Sequence, residues 1–200
     1  MDWVKEIENY LPFNEQEESD KKIILDAIKN HSNILTRENE IMHITSSGYI
    51  LNKTRDKVLM IYHRIYNSWS WTGGHADGDD NLLHVAIKEA KEETGIQNLN
   101  PIIPNIFSLD ILTVDGHYKK GRFVSPHLHL SVAYLFEGDE NTKLILNEEE
   151  TKGVKWIPIS EIHNACTEDK MIKLYDKFHK KINDLTKSKG LYQNKFDTIR

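Results

Sequence analysis

The stretch on which the fold turns is Gly74-His75-Ala76-Asp77-Gly78-Asp79-Asp80, continued at its far end by Lys88-Glu89-Ala90-Lys91-Glu92-Glu93-Thr94-Gly95-Ile96. Residues 82–94 carry a helical pattern, and Gly95 stands where a left-handed C-terminal residue closes a helix. On that helix Glu89, Glu92 and Glu93 fall at i, i+3 and i+4 and share one face. Leu83, Ala86, Ile87 and Ala90 share the neighbouring face, an apolar stripe to bury against a sheet. Burying that stripe carries the carboxylates to the rim of the sheet. Three acids in one turn repel by about 0.2–0.5 kcal/mol per exposed pair, and the C-terminal half of a helix disfavours negative charge. Lys88, four residues before Glu92, offsets part of this. A divalent cation offsets more, and carboxylate oxygens suit Mg²⁺ or Mn²⁺. An acidic turn alone is ordinarily a solvated face. Here Gly73-Gly74, just upstream, allows the backbone a close approach that a side chain would block.

Outward from this segment the chain mixes helices and strands without a regular βαβ alternation, which predicts α+β with a mixed sheet. Residues 41–52, 58–62, 69–72, 102–114, 127–136 and 154–157 read as strands, the first two as a hairpin across Lys53-Thr54-Arg55-Asp56. Residues 115–125 read as a polar loop. Trp3, Val4, Ile7 and Tyr10 have helical spacing up to Pro12. Asn14 with Glu17 forms a capping-box pattern before a helix striped by Ile23, Ile24, Ala27 and Ile28. A last amphipathic helix begins near Thr167, with Met171, Leu174, Tyr175 and Phe178 on one face, and a polar tail expected to fray follows Ser188. The expected organisation is an N-terminal helical extension (1–40), a core (41–165), and a C-terminal helix and tail (166–200).

The chain has 200 residues, a net charge of −5 and a single cysteine. The acidic balance argues against a nucleic-acid partner. A single cysteine forms no internal disulfide, and Met1-Asp2-Trp3-Val4-Lys5-Glu6 lacks the apolar core of a signal peptide. A cytoplasmic protein with no membrane partner is expected. His127 and His129 lie two apart, so on a strand they share a face. They join His75 as candidate phosphate contacts, with a zinc site that includes His75 as the bolder alternative. Arg64 is a further candidate for phosphate. Trp69 and Trp71 read as core next to the acidic helix rather than as a platform for a base.

Taken together, Gly74, Glu89, Glu92, Glu93, Gly95 and Ile96 resemble the Nudix box, G-x5-E-x7-R-E-U-x-E-E-x-G-U, in which U is a bulky apolar residue. Asp80, Lys88 and Ala90 depart from it, standing where the pattern has Glu, Arg and a larger apolar residue. The resemblance runs from about Ile41 to Ile162 and takes in Trp71-Thr72-Gly73-Gly74-His75 and Trp156-Ile157-Pro158-Ile159. It implies a mixed-sheet α/β/α sandwich and a pyrophosphohydrolase that uses Mg²⁺ or Mn²⁺. The substrate it implies is a nucleoside diphosphate linked to another moiety, and homodimers are frequent in the family. It also implies Glu89, Glu92, Glu93 and the Gly74 carbonyl as metal ligands, with Lys88 as an orienting residue. The general base is then a box glutamate or an acid on a distant loop, for which Glu150 of Glu148-Glu149-Glu150 is the candidate. The alternatives are a nucleotide or nucleotide-sugar sensor on the same fold and isopentenyl diphosphate isomerase. The isomerase needs an active-site cysteine, and Cys166 lies far along the chain from the box.

Overall fold

The computed structural model describes residues 2–64, 67–119, 121–147 and 151–196, with side chains as far as 187. Helices α1 (Trp3–Asn9) and α2 (Glu15–Asn30) precede β1 (Met42–Leu51), β2 (Lys57–His63), β3 (Ser68–Ser70) and β4 (Thr72–His75). Then follow α3 (Leu82–Thr94), β5 (Leu99–Pro101), β6 (Ser108–Val114), β7 (His117–Lys119), β8 (Arg122–Val124) and β9 (His127–Gly138). The chain continues with β10 (Thr151–Pro158), a short 3₁₀ turn, α4 (Ile162–Ala165) and α5 (Asp169–Phe196).

The main sheet runs β10-β2-β1-β9-β5, with β3 on β2, β4 on β1 and β6 on β9. It is mixed, because β1 and β9 are parallel and the other pairings are antiparallel. Strand alternation sorts the central side chains into two layers. Even-numbered Ile44, Ile50, Leu130 and Val132 pack with residues of α1, α2 and α3. Odd-numbered Tyr49, Leu51, Ala133 and Leu135 pack under α5, against Tyr175 and Phe178. The α+β class and the helix/sheet/helix layering expected from the sequence are both present.

Several local expectations are corrected. The strand expected over 102–114 begins only at Ser108; the chain pairs with β9 through Pro101 at the end of β5 and then leaves the ladder around Pro104, which has no N–H to give it. The polar loop at 115–125 contains the β7–β8 hairpin, which turns at Gly121 with φ 80°. The strand expected over 69–72 is two strands, because the Trp71 N–H leaves the ladder to donate to the Tyr175 hydroxyl at 3.1 Å. Trp71 is core, but under α5 rather than beside the acidic helix; Trp69 is half-buried, with Lys155 over its ring. Ile23 is exposed, and α5 continues as helix past Ser188. Among the described residues no helix is long and apolar enough to cross a membrane.

Asn14 caps α2 as expected, accepting from the Glu17 N–H at 2.9 Å, but the reciprocal half of the capping box is absent. The Glu17 carboxylate instead accepts from Phe13 N at 2.7 Å and turns into the protein, where the residue is fully buried. There it meets Lys181 at 2.8 Å and Lys177 at 2.9 Å from α5, Ser108 at 2.9 Å from β6, and the Tyr10 hydroxyl. Lys177 also pairs with Asp110, so two carboxylates balance two ammoniums in one buried cluster joining α2, β6 and α5. Burial alone would raise the Glu17 pKa; Lys181, Tyr10 and Lys177 override it and hold the group at about 2. Glu17→Gln leaves two lysines short of a counter-charge and is expected to cost about 3–5 kcal/mol in denaturant unfolding. Because the folded pKa lies below the ordinary 4.5, this stability is complete above pH 4.5 and lost as pH falls toward 2. The gap between wild type and variant should therefore be widest near neutrality and shrink below pH 4.5, as unfolding curves across that range would show.

Candidate active site

Helix α3 is fixed at both ends by local chemistry. Asn81 caps its first turn, accepting from His84 N at 3.0 Å, and Asp79 supports the cap by accepting from Asn81 N at 2.9 Å. Gly95 closes it with φ 73°, the left-handed conformation expected from the sequence. Ser46 of β1 donates to the Leu82 carbonyl at 2.6 Å and ties the start of the helix to the sheet.

The carboxylate face then meets β4 where β4 has no side chains. Glu93 is 5% exposed, and its Oε2 accepts the Gly73 N–H at 3.0 Å. The Glu89 carboxyl lies so close to Gly74 that a Cβ there would sit 2.4 Å from its Oε2 and Cδ. Glu92 faces outward, its side chain 54% exposed against 17% for Glu89. Lys88 reaches both, at 3.6 Å from Glu89 and 3.7 Å from Glu92. Glu89 and Glu93 are thus drawn onto one short run of backbone, with Glu92 on the same helix face. The donor set is all oxygen, and the gap at Gly74 is what a carboxylate cradle requires, so these residues fit Mg²⁺ or Mn²⁺.

The other expected site residues lie elsewhere. Arg64 is exposed at the end of β2, and its Nε donates to the Thr151 carbonyl at 3.2 Å. Glu150 lies outside the described residues. Cys166 is buried on the sheet face away from α3, beside Ser68. His75, His127 and His129 do come together, around a residue the sequence reading passed over. The ring of His43 on β1 lies 5.0 Å from those of His75 and His127 and 5.1 Å from that of His129. His43 sits in phase with Thr45 and Ser47 on its strand, a polar stripe visible in the sequence. Its neighbour His129 could be known only from the parallel β1–β9 pairing. Burial lowers the pKa of His75 to about 3 and of His129 to about 2, and it lowers that of His43 as well.

The chain is 26% identical over 112 residues to YvcI, an uncharacterized Nudix hydrolase of Bacillus subtilis (strain 168). That match takes in 56% of this chain and 65% of the relative, so it spans just under two thirds of the relative's length. Among solved structures, a C. elegans Ap4A hydrolase binary complex superposes with a TM-score of 0.50 at 19% identity, over 70% of this chain and 98% of that one. The Nudix hydrolase RenU of M. smegmatis gives a TM-score of 0.50 at 11% identity, over 73% and 86%. At such identities the likeness is one of fold. Residues 42–178, more than half the chain and inclusive of the whole glycine–helix–carboxylate segment, match the profile of the NUDIX domain, and the chain belongs to that family.

Proposed function

We propose that the chain is a metal-dependent pyrophosphohydrolase that cleaves the pyrophosphate bond of a nucleoside diphosphate linked to another moiety. The observation that carries this reading is the seating of Glu89 and Glu93 against the side-chain-free Gly73-Gly74 backbone, in a domain of the NUDIX family. A bound Mg²⁺ or Mn²⁺ supplies neutralisation of pyrophosphate charge and acidifies a water. The residues of the chain do the positioning. Glu93 is oriented by the Gly73 N–H, and Glu89 by its fit against Gly74; both serve as principal ligands, with Glu92 and the Gly74 carbonyl completing the set. Lys88 bridges Glu89 and Glu92 and limits their repulsion. Glu92, exposed and on the same face, is the box residue best placed to take a proton from an attacking water.

The test is release of phosphate and nucleotide across a panel of nucleoside triphosphates, nucleotide sugars, dinucleoside polyphosphates and coenzyme pyrophosphates. Each is run with Mg²⁺, with Mn²⁺ and with chelator. Turnover of one class that requires the metal supports the reading. Tight binding of a compound without turnover would replace it with a sensor role.

Glu93→Gln retains an acceptor for the Gly73 N–H, so the fold should persist while kcat falls more than tenfold, about 1.4 kcal/mol in barrier. Retention of over a tenth of kcat would overturn the role of Glu93. Gly74 needs no left-handed backbone, so Gly74→Ala should shift the thermal midpoint little while displacing the Glu89 carboxyl. Its kcat at saturating substrate should fall by about tenfold or more, with a higher metal concentration needed for half-maximal rate.

A further inference from the structure

The four histidines gathered at the ends of β1, β4 and β9 lie on the sheet face opposite the carboxylates. His43 and His129 occupy odd-numbered positions, in register as a direct pair, and odd positions on these strands face the α5 layer. His75 pairs with Thr45 and points the same way, while its neighbour Gly74 faces Glu89. Three of the histidines present donor nitrogens that all lie within 4.8 Å of one another: His43, His75 and His129.

Their hydrogen bonds determine which nitrogens carry protons. His43 Nδ1 lies 3.0 Å from the Asn39 carbonyl, and His127 Nδ1 lies 2.8 Å from the Ser125 carbonyl. A carbonyl only accepts, so each Nδ1 carries the hydrogen. In the neutral ring, Nε2 is then a bare lone pair. For His127 that lone pair is 3.2 Å from His129 Nε2. For His43, which is 4% exposed, the Nε2 has no hydrogen-bond partner among the described residues. An orphaned buried acceptor is costly, at about 1–3 kcal/mol, and its presence calls for a ligand. Metal-bound histidines are ordinarily held in this way, with the distal N–H on a backbone carbonyl and the other nitrogen free to ligate.

We propose that His43, His75 and His129, with His127 beside them as the fourth donor, form a second cation site for a divalent transition metal of the zinc class. Zn–N bonds of about 2.0–2.1 Å place two donors of one tetrahedral ion about 3.3 Å apart, close to the observed His127–His129 separation. The all-nitrogen set selects against Mg²⁺, which prefers oxygen, just as the carboxylate set does not select zinc. Burial keeps His75 and His129 uncharged at neutral pH, the form that ligates. It also makes them weak partners for phosphate. Arg37 lies near His75 but is neutralised by Asp77, to which its Nε donates at 2.8 Å. Lys119 is a further nearby cation among the described residues. The site joins three strand ends, so an ion there braces the sheet immediately after Gly74. This inference does not depend on the hydrolase reading.

The test uses the full chain, free of any histidine tag and stripped of metal. Zn²⁺ is titrated against a competing chromophoric chelator in excess Mg²⁺, and Co²⁺ is titrated with the visible spectrum recorded. The expected result is one tightly bound equivalent of zinc, a raised thermal midpoint, and the intense absorption of four-coordinate cobalt. Binding should persist in Glu89→Gln and Glu93→Gln. In His75→Gln and His129→Gln, at half-buried positions, zinc affinity should fall by more than about a hundredfold, beyond the loss typical of outer-shell changes. His43→Gln is the more disruptive variant, and the cobalt spectrum of the wild type tests the site without it. Failure of the wild type to take up zinc, a weak six-coordinate cobalt spectrum, or zinc lost in the glutamate variants but kept in His75→Gln would each overturn the proposal.

Discussion

The structure depends on the close approach of α3 to the backbone of β4. A helix that carries three acids on one turn pays for their repulsion unless the carboxylates are given partners. Gly73 and Gly74 provide them by having no side chains. One offers an N–H to Glu93, and the other leaves the space that the Glu89 carboxyl fills. Any side chain at Gly74 would occupy that space, and at Gly73 a Cβ would meet the Ser47 backbone at 2.8 Å. The packing of Ala86 and Ala90 against the sheet, the ties from Ser46 and Asn81, and the left-handed Gly95 all serve to hold the helix at this distance.

This approach was legible in the sequence because each part of it is local. The helix bounds, its closing glycine, the shared face of the glutamates and the glycine pair all follow from spacing along one segment. What was not legible depends on distant partners. Trp71 leaves its ladder because Tyr175 claims its N–H across more than a hundred residues. Glu17 abandons its capping box because Lys177 and Lys181 arrive from the far end of the chain. The β7–β8 hairpin hid in a polar stretch because strands this short and exposed bury too little to leave an apolar alternation. Polarity read there as loop, although Tyr118 and Phe123 pack their rings together.

The candidate sites divide along the same line. The carboxylates are legible as a group because a helix presents i, i+3 and i+4 on one face. The histidines are legible only in part: the spacing of His127 and His129 declares a shared face, and His75 stands beside the glycines. His43 was missed, since nothing in a sequence states that residues 42–51 run parallel to residues 128–137. That parallel pairing is the step that assembles the cluster. The carboxylates are carried by α3 on one face of the sheet and the imidazoles lie on the other, toward the α5 layer, separated by the thickness of one sheet.

The buried ionic cluster explains how the N-terminal helices can matter to a core they precede. Apolar contacts from Ile7, Tyr10, Ile24 and Ala27 would hold α1 and α2 against the sheet in more than one alignment, since such packing is not directional. Glu17 admits one alignment. Its two oxygens serve Phe13, Tyr10, Ser108, Lys177 and Lys181 at once, and a shift by a turn of α2 would leave two buried ammoniums to share the single carboxylate of Asp110. Ion pairs of this kind are weak sources of net stability compared with apolar packing, and their cost when misaligned is large. The cluster therefore acts as a register pin. It also pins β6, whose ladder with β9 includes the pair Leu112 and His129. The alignment of α2 and α5 is in this way carried through two strands to the imidazoles at the sheet end.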